Sequence, residues 1–361
     1  MQGNAGLLEV ISMEWKEGRQ RVACIVKSRN AKILNLQAEI ERMGWECRIF
    51  PLDSFTETQR YWRKKWVELL GNKKQAFRDF SHQRQAQIVQ EILMYRPQKC
   101  LIINALCAKV YVQRLLENME VVCWLIDPVR LPVSASLDTL RMTPVFVYER
   151  ESQKELTKYG IFARYCPVGY QSAYERESVM QNTSQDIDIA FVGTPYPLRR
   201  HLLDALAKAA DQRGWNLQIF GPFYEQRYFW KRWTLSLWYP HLMRHLLNGS
   251  VPPETAADIY QRSKICLNIH GNGSTGVNPR TFEILACGAM EMVDVRGDYD
   301  ILRPGVDFAV FDGADELIKK TEWYLSHNEE RAKLAASGHA RVRNVRSMKH
   351  CLQDILGDVP M

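Results

Sequence analysis

The sequence predicts an α/β protein built from two Rossmann-like domains whose parallel sheets face a central cleft. Three observations lead there. The chain has 361 residues, more than one ordinary core accommodates. Apolar runs of strand length alternate with segments of helical period, the pattern of parallel sheets with crossover helices. That alternation starts at residue 21 and starts again at residue 187, after a polar, charged stretch over 171–186 with the composition of a linker. The boundaries expected are 1–170 and 187–346, with a final segment, 347–357. Composition is globular, 46% apolar and 25% charged, which argues against disorder.

In the first domain, residues 21–27 (RVACIVK) read as a strand. A helix follows over 28–43, with Ile33, Leu36 and Ile40 on one face, and Gly44 ends it. Residues 45–50 make the next strand. This βαβ opening lacks the G-x-G-x-x-G of dinucleotide binders, because its first turn reads KSRNAKI. A basic segment over 59–84 reads as one or two helices, and the next helix ends before Pro97. Strands are expected at 99–104, 121–126 and 144–148, and helices at 110–118 and 152–159. Ligands of open α/β sheets sit beyond the carboxyl ends of strands. Asn104 and Asp127 are so placed, and Asp127 is the better candidate for a polar role in the cleft. Its other reading is a turn-forming Asp-Pro.

The second domain opens with a strand at 187–192. The loop Gly193-Thr194-Pro195-Tyr196-Pro197 and a helix over 198–211 follow, then a strand at 217–220 closed by Gly221-Pro222. Residues 222–248 carry eight aromatic residues, with Arg227, Lys231, Arg232 and Arg244 against a single acid, Glu225. Such a segment suits packing on the first domain, a dimer face or a membrane surface. His241 and His245 have i,i+4 spacing, but no third metal ligand is evident. A helix over 254–263 precedes the central unit. There, Ile265–Ile269 is a buried strand, and Gly271, Gly273 and Gly276 make a pliable loop. Pro279 starts a helix that stops at Gly288, and 290–295 is the next strand. Helices are expected at 314–325 and 329–345.

Strand, glycine loop and helix put N–H groups and a positive helix end at one loop mouth, where phosphates bind. Arg280 adds a cation with a planar fork of donors. Glu283, three residues on, shares its face and can accept hydrogen bonds from two ribose hydroxyls. The competing reading is a capped helix with a surface ion pair between the two. His270, after the strand, points at a ligand or packs within the loop.

The run N-x-R-x-F-E-x-x-A-C-G, formed by Asn278, Arg280, Phe282, Glu283, Ala286, Cys287 and Gly288, resembles the donor-site helix of CgeB-like glycosyltransferases. That family is related to the group 1 glycosyltransferases of GT-B fold. The resemblance extends upstream through FVGTPYPLRRHLL and downstream through ILRPGVDFAVFDGADELIKK and beyond. It covers the second half of the chain well and the first half in outline. It implies donor contacts at Gly193, Thr194, Arg199, Asn278, Arg280, Thr281, Phe282 and Glu283. The family pattern favours Arg199 over Arg200. The resemblance also implies that residues 347–357 cross back to brace the first domain. Many group 1 enzymes have a second glutamate eight positions before the first, and here that position is Thr275.

The activity so implied is transfer of a sugar from a nucleotide-diphosphate sugar to a protein, glycan or lipid acceptor, with retention. Arg280 and His270 are the catalytic candidates, and Asp127 is the base if the reaction inverts. The nucleotide-sugar is a co-substrate, so no cofactor is expected. No metal is expected either: Asp298-Tyr299-Asp300 imitates a metal-binding D-x-D, but in a polar loop of the other, metal-independent fold. A nucleotide-sugar 2-epimerase is the nearest enzymatic rival. A degenerate transferase that binds nucleic acid or anionic lipid is the rival from another class.

Net charge is +7, and residues 59–84 hold eight cations against two acids, interleaved with Tyr61, Trp62, Trp66, Phe77 and Phe80. That segment is either the solvated basic face of a helix pair or a contact with an anionic membrane surface, nucleic acid or an acidic acceptor; of these, nucleic acid is not the expected partner. The nine cysteines include no C-x-x-C pair and sit in apolar runs, as reduced core residues do. With no apolar stretch of leader or membrane-span type, the expected location is the cytoplasm, with peripheral contact at the inner membrane face.

Overall fold

A computed structural model of the chain describes residues 20–27, 31–52, 73–104, 107–129, 134–176, 185–224, 228–271, 275–343 and 345–357. Most of the basic aromatic segment, residues 59–72, lies outside them.

The first domain holds β1 (Arg21–Val26), α1 (Ala31–Arg42), β2 (Glu46–Pro51), α2 (Lys73–Tyr95), β3 (Lys99–Ile103), α3 (Lys109–Leu116) and β4 (Glu120–Leu125). After these come α4 (Ser134–Met142), β5 (Val145–Val147), α5 (Arg150–Thr157) and β6 (Ala163–Tyr165). Its sheet is parallel, in the order β2-β1-β3-β4-β5-β6. Both faces are covered, which is why the strands read as unbroken apolar runs. One face packs on Ile33, Leu36 and Ile40 of α1; the other packs on Ile88 and Ile92 of α2 and Leu115 of α3.

The second domain holds β7 (Ile187–Val192), α6 (Pro197–Arg213), β8 (Leu217–Gly221), α7 (Phe229–Trp238), α8 (Leu242–His245), β9 (Leu246–Asn248), α9 (Pro253–Arg262) and β10 (Ser263–Asn268). Then come α10 (Pro279–Ala286), β11 (Glu291–Asp294), β12 (Ala309–Phe311), α11 (Gly313–Ser326) and α12 (Asn328–Val342). Its strand order is β12-β11-β10-β7-β8-β9, all parallel. The order reverses between β7 and β10. Loops leaving that pair diverge to opposite faces and open a crevice. The glycine loops after β7 and after β10 therefore meet.

Residues 222–224 and 228–248 are built into the domain. They form the crossover α7–α8 and the edge strand β9, and Leu235 of α7 is buried with Phe223 and Leu242 in the domain's own core. The helix's buried side thus serves the second domain, not the first. Strands β9 and β12 and helix α4 go beyond the sequence expectation. The strands are only three residues long, too short for a periodicity to register.

The last helix, α13 (Met348–Leu356), begins with Ser347 accepting from the His350 N–H as an N-cap. Its Met348, Cys351, Leu352, Ile355 and Leu356 enter the core of the first domain beside α1. Tyr170 and Ser347 pair where the chain crosses, and Gly169 lies against the Arg346 and Ser347 backbone. All nine cysteines are buried thiols. No described helix is long and apolar enough to cross a membrane.

Candidate functional site

The site forms where the second sheet reverses. Gly193 directly follows β7 and Gly221 ends β8, side by side. A Cβ on Gly221 would stand 1.9 Å from the Gly193 carbonyl oxygen, so the two backbones touch. A Cβ on Gly193 would stand 2.9 Å from Phe191 Cζ and 3.2 Å from Arg280 Nη2. The Arg280 guanidinium thus lies against the first glycine loop although it comes from α10.

Arg280 is half-buried. It donates one long hydrogen bond, Nη1 to Asn268 Oδ1 at 3.4 Å, and lies 5.9 Å from the centre of the Phe191 ring. Among the described residues it has no carboxylate partner, so the surface ion pair with Glu283 does not form. Glu283 is also half-buried, next to Tyr174 and Tyr260, whose rings stack at 6.2 Å. Burial raises both phenols, and the charge on Glu283 adds to that while Arg280 opposes it. Arg280 and Glu283 therefore occupy one neighbourhood without neutralising each other. No side chain caps α10. Pro279 has no N–H, and the Thr281 N–H is taken by the Asn278 carbonyl. The Arg280 N–H is the donor left at that helix end.

Arg199 is 4% exposed. It donates from Nε to the Ile269 carbonyl (2.6 Å) and from Nη1 to the carbonyl and Oγ1 of Thr194 (3.0 and 2.9 Å). It cross-links the β7 loop to the end of β10. Burial, and then the neighbouring charge of Arg280, lower its pKa to about 10. Two guanidiniums thus stand close enough to repel one another, an arrangement that an anion between them would relieve.

His270 is buried, and both ring nitrogens are engaged. Nδ1 donates to Asp294 Oδ1 at 2.7 Å, and Nε2 accepts from the Asn278 N–H at 2.9 Å. Accepting at Nε2 fixes the neutral tautomer, and burial lowers the His270 pKa in the same sense. Burial opposes ionisation of Asp294, yet His270 and Arg296 hold that carboxyl below its ordinary value. His270 is a positioning residue here. It ties the end of β10 to the start of α10, so the glycine loop is pinned at both ends.

The side chains of Thr281 and Phe282 turn away from the crevice. Both are fully buried: Phe282 packs in the domain core, and Thr281 joins a polar network beneath the site. In that network Asn268 Nδ2 donates to Asn278 Oδ1, Thr281 Oγ1 and Glu291 Oε1, and Thr281 Oγ1 donates to Glu291. Asn278 faces this network too, returning its Nδ2 to Asn268 Oδ1. The sequence reading missed Asn268 and Glu291. Their signal was a polar residue inside an apolar strand, KICLN and MEMVD, which must find partners when buried.

Glu291 has a consequence that can be measured. Burial raises its pKa to about 7, against the pull of Asn268, Thr281 and Arg280, and its Oε2 has no hydrogen-bond partner. The folded state therefore keeps a proton that the unfolded state loses near 4.5. Stability contributed by this group is greatest below pH 4.5 and falls as pH rises to about 7, by roughly 3 kcal/mol. Glu291→Gln removes that titration. Denaturation of both proteins from pH 4.5 to 8 should show the variant gaining on the parent across this window; a constant difference would disprove it.

Asp127 is in the other domain. It is exposed at the end of β4 and accepts from Asn104 Nδ2 at 2.7 Å, while Asn104 Oδ1 accepts from the Ile126 N–H. Asn104 does this from a left-handed backbone, φ 45°, a conformation asparagine tolerates. The two domains meet at the glycine loop, where Gly276 lies close to Glu149. They also meet through Arg150, which reaches Asp298 (3.3 Å) and Asp300 (3.4 Å); Arg346, at the end of the second domain, holds Asp300 as well (2.6 Å). The carboxylates of the D-x-D lookalike are thus held by arginines. His241 and His245 both contact Asp211, at 2.9 and 3.1 Å, which ties α8 to α6.

With this geometry in hand, the comparisons with known proteins are specific. A family model described as glycosyl transferase-like matches residues 199–357. The spore protein CgeB of Bacillus subtilis strain 168 is 27% identical over 196 residues, which is 48% of this chain and 57% of that protein. Among solved structures, a glycosyltransferase from Rickettsia africae superposes with a TM-score of 0.68 at 11% identity, covering 93% of this chain and 97% of that one. Anabaena HepE in complex with UDP-glucose gives 0.61 at 13% identity, covering 94% and 98%. These chains share the GT-B fold, two parallel α/β domains about a cleft. The expected fold is borne out, and the resemblance to glycosyl transferase-like proteins holds over the second half of the chain.

Proposed function

From a second half, residues 199–357, that is glycosyl transferase-like, we propose that this chain moves a sugar from a nucleotide-diphosphate sugar to an acceptor that enters from the first domain. One observation carries the reading: the Arg280 guanidinium, without a carboxylate partner among the described residues, lies against the Gly193 backbone where the sheet reverses. That site suits a diphosphate. Gly193 lets the chain approach it closely, Arg280 spans two of its oxygens, and the Arg280 N–H adds a third donor. Arg199 supplies charge from behind while holding the loop. Charge on the leaving diphosphate is neutralised by these groups as the glycosidic bond breaks.

Glu283 is set to receive the ribose hydroxyls. Retention of configuration, which needs no dedicated base, fits the two-domain resemblance; under inversion, Asp127 is the base at the opposite wall. HepE, which binds UDP and UDP-glucose, makes uridine diphosphate the first nucleotide to try.

The test is thermal stabilisation by UDP, GDP, ADP and CDP, each alone, since a ligand bound only by the native state raises apparent stability. Stabilisation by one of them, followed by hydrolysis of the matching nucleotide-sugar, is the expected result. No shift with any nucleotide diphosphate would overturn the proposal. Glu283→Ala should weaken that nucleotide by about 1.5–3 kcal/mol, the range of charge-assisted hydrogen bonds, with little change in folding. Calorimetry that finds unaltered affinity would remove Glu283 from the ribose.

A further inference from the structure

Helix α7 presents an apolar face that the fold does not cover. Trp230, Trp233, Leu237 and Trp238 are exposed by 49, 66, 65 and 75%. The spacing of Trp230, Trp233 and Leu237 puts them along one side of the helix, opposite buried Leu235, and Trp238 flanks them at its end. Four large apolar side chains on ten residues make a patch that a monomer's surface seldom shows.

The charges carried by the helix itself have one sign. Lys231 and Arg232 are its charged residues, and no acid occurs from Gln226 to Pro253; Arg244, on α8, is already paired with Asp211 at 2.9 Å. Arg232 is exposed beside the tryptophans. Under the helix lies a recess of about 400 Å³, lined by Arg200, Tyr224, Lys231, Trp238 and Tyr239 among others. Arg200 Nε is buried there without a hydrogen-bond partner.

From this we infer that α7 docks the protein on an anionic lipid surface, with tryptophans at the interface and Arg200 and Lys231 beside a lipid phosphate. Tryptophan is the side chain best suited to a boundary between headgroups and acyl chains. A basic amphipathic helix lies in that boundary with its apolar face about 5–10 Å deep. Ten residues span about 15 Å, half of a bilayer core, so the helix lies on the membrane and does not cross it. A second copy of the chain fits less well. A face roughly 15 by 10 Å buries far less than the ~800 Å² per partner of a stable dimer.

Because α7 follows the carboxyl end of β8, the docked edge lies next to the glycine loops. An acceptor carried on a lipid would then meet the cleft at its rim. This last point rests on the transferase reading; the docking does not.

The experiment is co-sedimentation at low salt with vesicles of phosphatidylcholine alone and with 30 mol% phosphatidylglycerol, for the parent and three variants. The parent should bind the anionic vesicles and shift its tryptophan emission to the blue. Trp230→Ser/Trp233→Ser/Leu237→Ser should lose at least tenfold in affinity, and Arg232→Gln with Arg200→Gln should lose the preference for anionic lipid. The third variant, Lys64→Gln/Lys65→Gln/Lys73→Gln/Lys74→Gln, probes the other basic segment. Full binding by the triple α7 variant, or loss only in the lysine variant, would overturn the inference. So would a parent that ignores anionic vesicles, or one whose light scattering shows a dimer abolished by the α7 changes. Soluble donor hydrolysis by the triple variant should stay at the parental rate.

Discussion

Arg280→Ala should lower turnover by at least about 100-fold while the protein stays folded, the scale for removing a preorganised donor from a developing oxyanion. The diphosphate gains negative charge as the sugar departs, so a cation held against it stabilises the transition state more than the bound donor. Arg280 is placed for that. Its guanidinium has a single long contact, to Asn268, and rests on the Gly193 backbone, so its remaining donors face the crevice. Arg280→Lys keeps the charge and loses the fork. It should cost at least about tenfold in turnover, or roughly 1.4 kcal/mol, with a smaller loss in donor affinity. Measuring kcat and donor Kd for both variants separates the effects. Parental turnover in the alanine variant would remove the glycine-loop site from the chemistry.

The second large effect is structural. Gly221→Ala places a methyl group 1.9 Å from the Gly193 carbonyl oxygen, at a backbone φ of +154°. The Gly193 carbonyl is backbone and cannot swing away as a side chain could, so β7 and β8 must separate at their carboxyl ends. Such a substitution should cost about 3 kcal/mol or more, in the range that marks a forced backbone. Gly193→Ala is the instructive contrast. Its Cβ would meet the tip of Arg280, which can yield, and at 2.9 Å Cζ of the Phe191 ring, which is buried in the core and can only shift slightly. It should cost less stability than Gly221→Ala and should weaken nucleotide binding by displacing Arg280. Chemical denaturation beside nucleotide calorimetry distinguishes the two; equal loss of stability in both would mean that the close approach of β7 and β8 does not matter.

Alternation of strand and helix was legible because parallel strands buried on both faces must be apolar throughout. The central unit was legible because glycine, proline and a second glycine mark its loop, helix start and helix end. What the linear motif could not reveal is which of its residues face the crevice. Consecutive helical residues differ by 100°, so Arg280 and Glu283 share a side while Thr281 and Phe282, between them, turn inward. The motif reads as one site, but the helix divides it into a face toward the crevice and a face toward the core. The role of His270 was equally invisible: Asp294 is brought to it by the pairing of β10 with β11, and the Asn278 N–H by the return of the loop to the start of α10. Between Arg199 and Arg200, the buried one holds the loop and the other lines the recess under α7. That distinction depends on the rotation of α6, which no pattern of two adjacent arginines encodes.

The placement of α13 has a consequence for how the chain is made. Five of its nine residues complete the core of a domain whose last strand ends at Tyr165, so nearly two hundred residues of translation separate that strand from its cover. On a ribosome, domains usually close in the order they emerge. Here the first domain waits with Ile33, Leu36 and Ile40 of α1 short of their partner until the second domain has been synthesised. Ribosome-stalled chains ending before residue 347 should therefore be protease-sensitive around α1, and release of the full chain should protect it. The two halves are a sequence of folding events closed by the last one, not two independent modules.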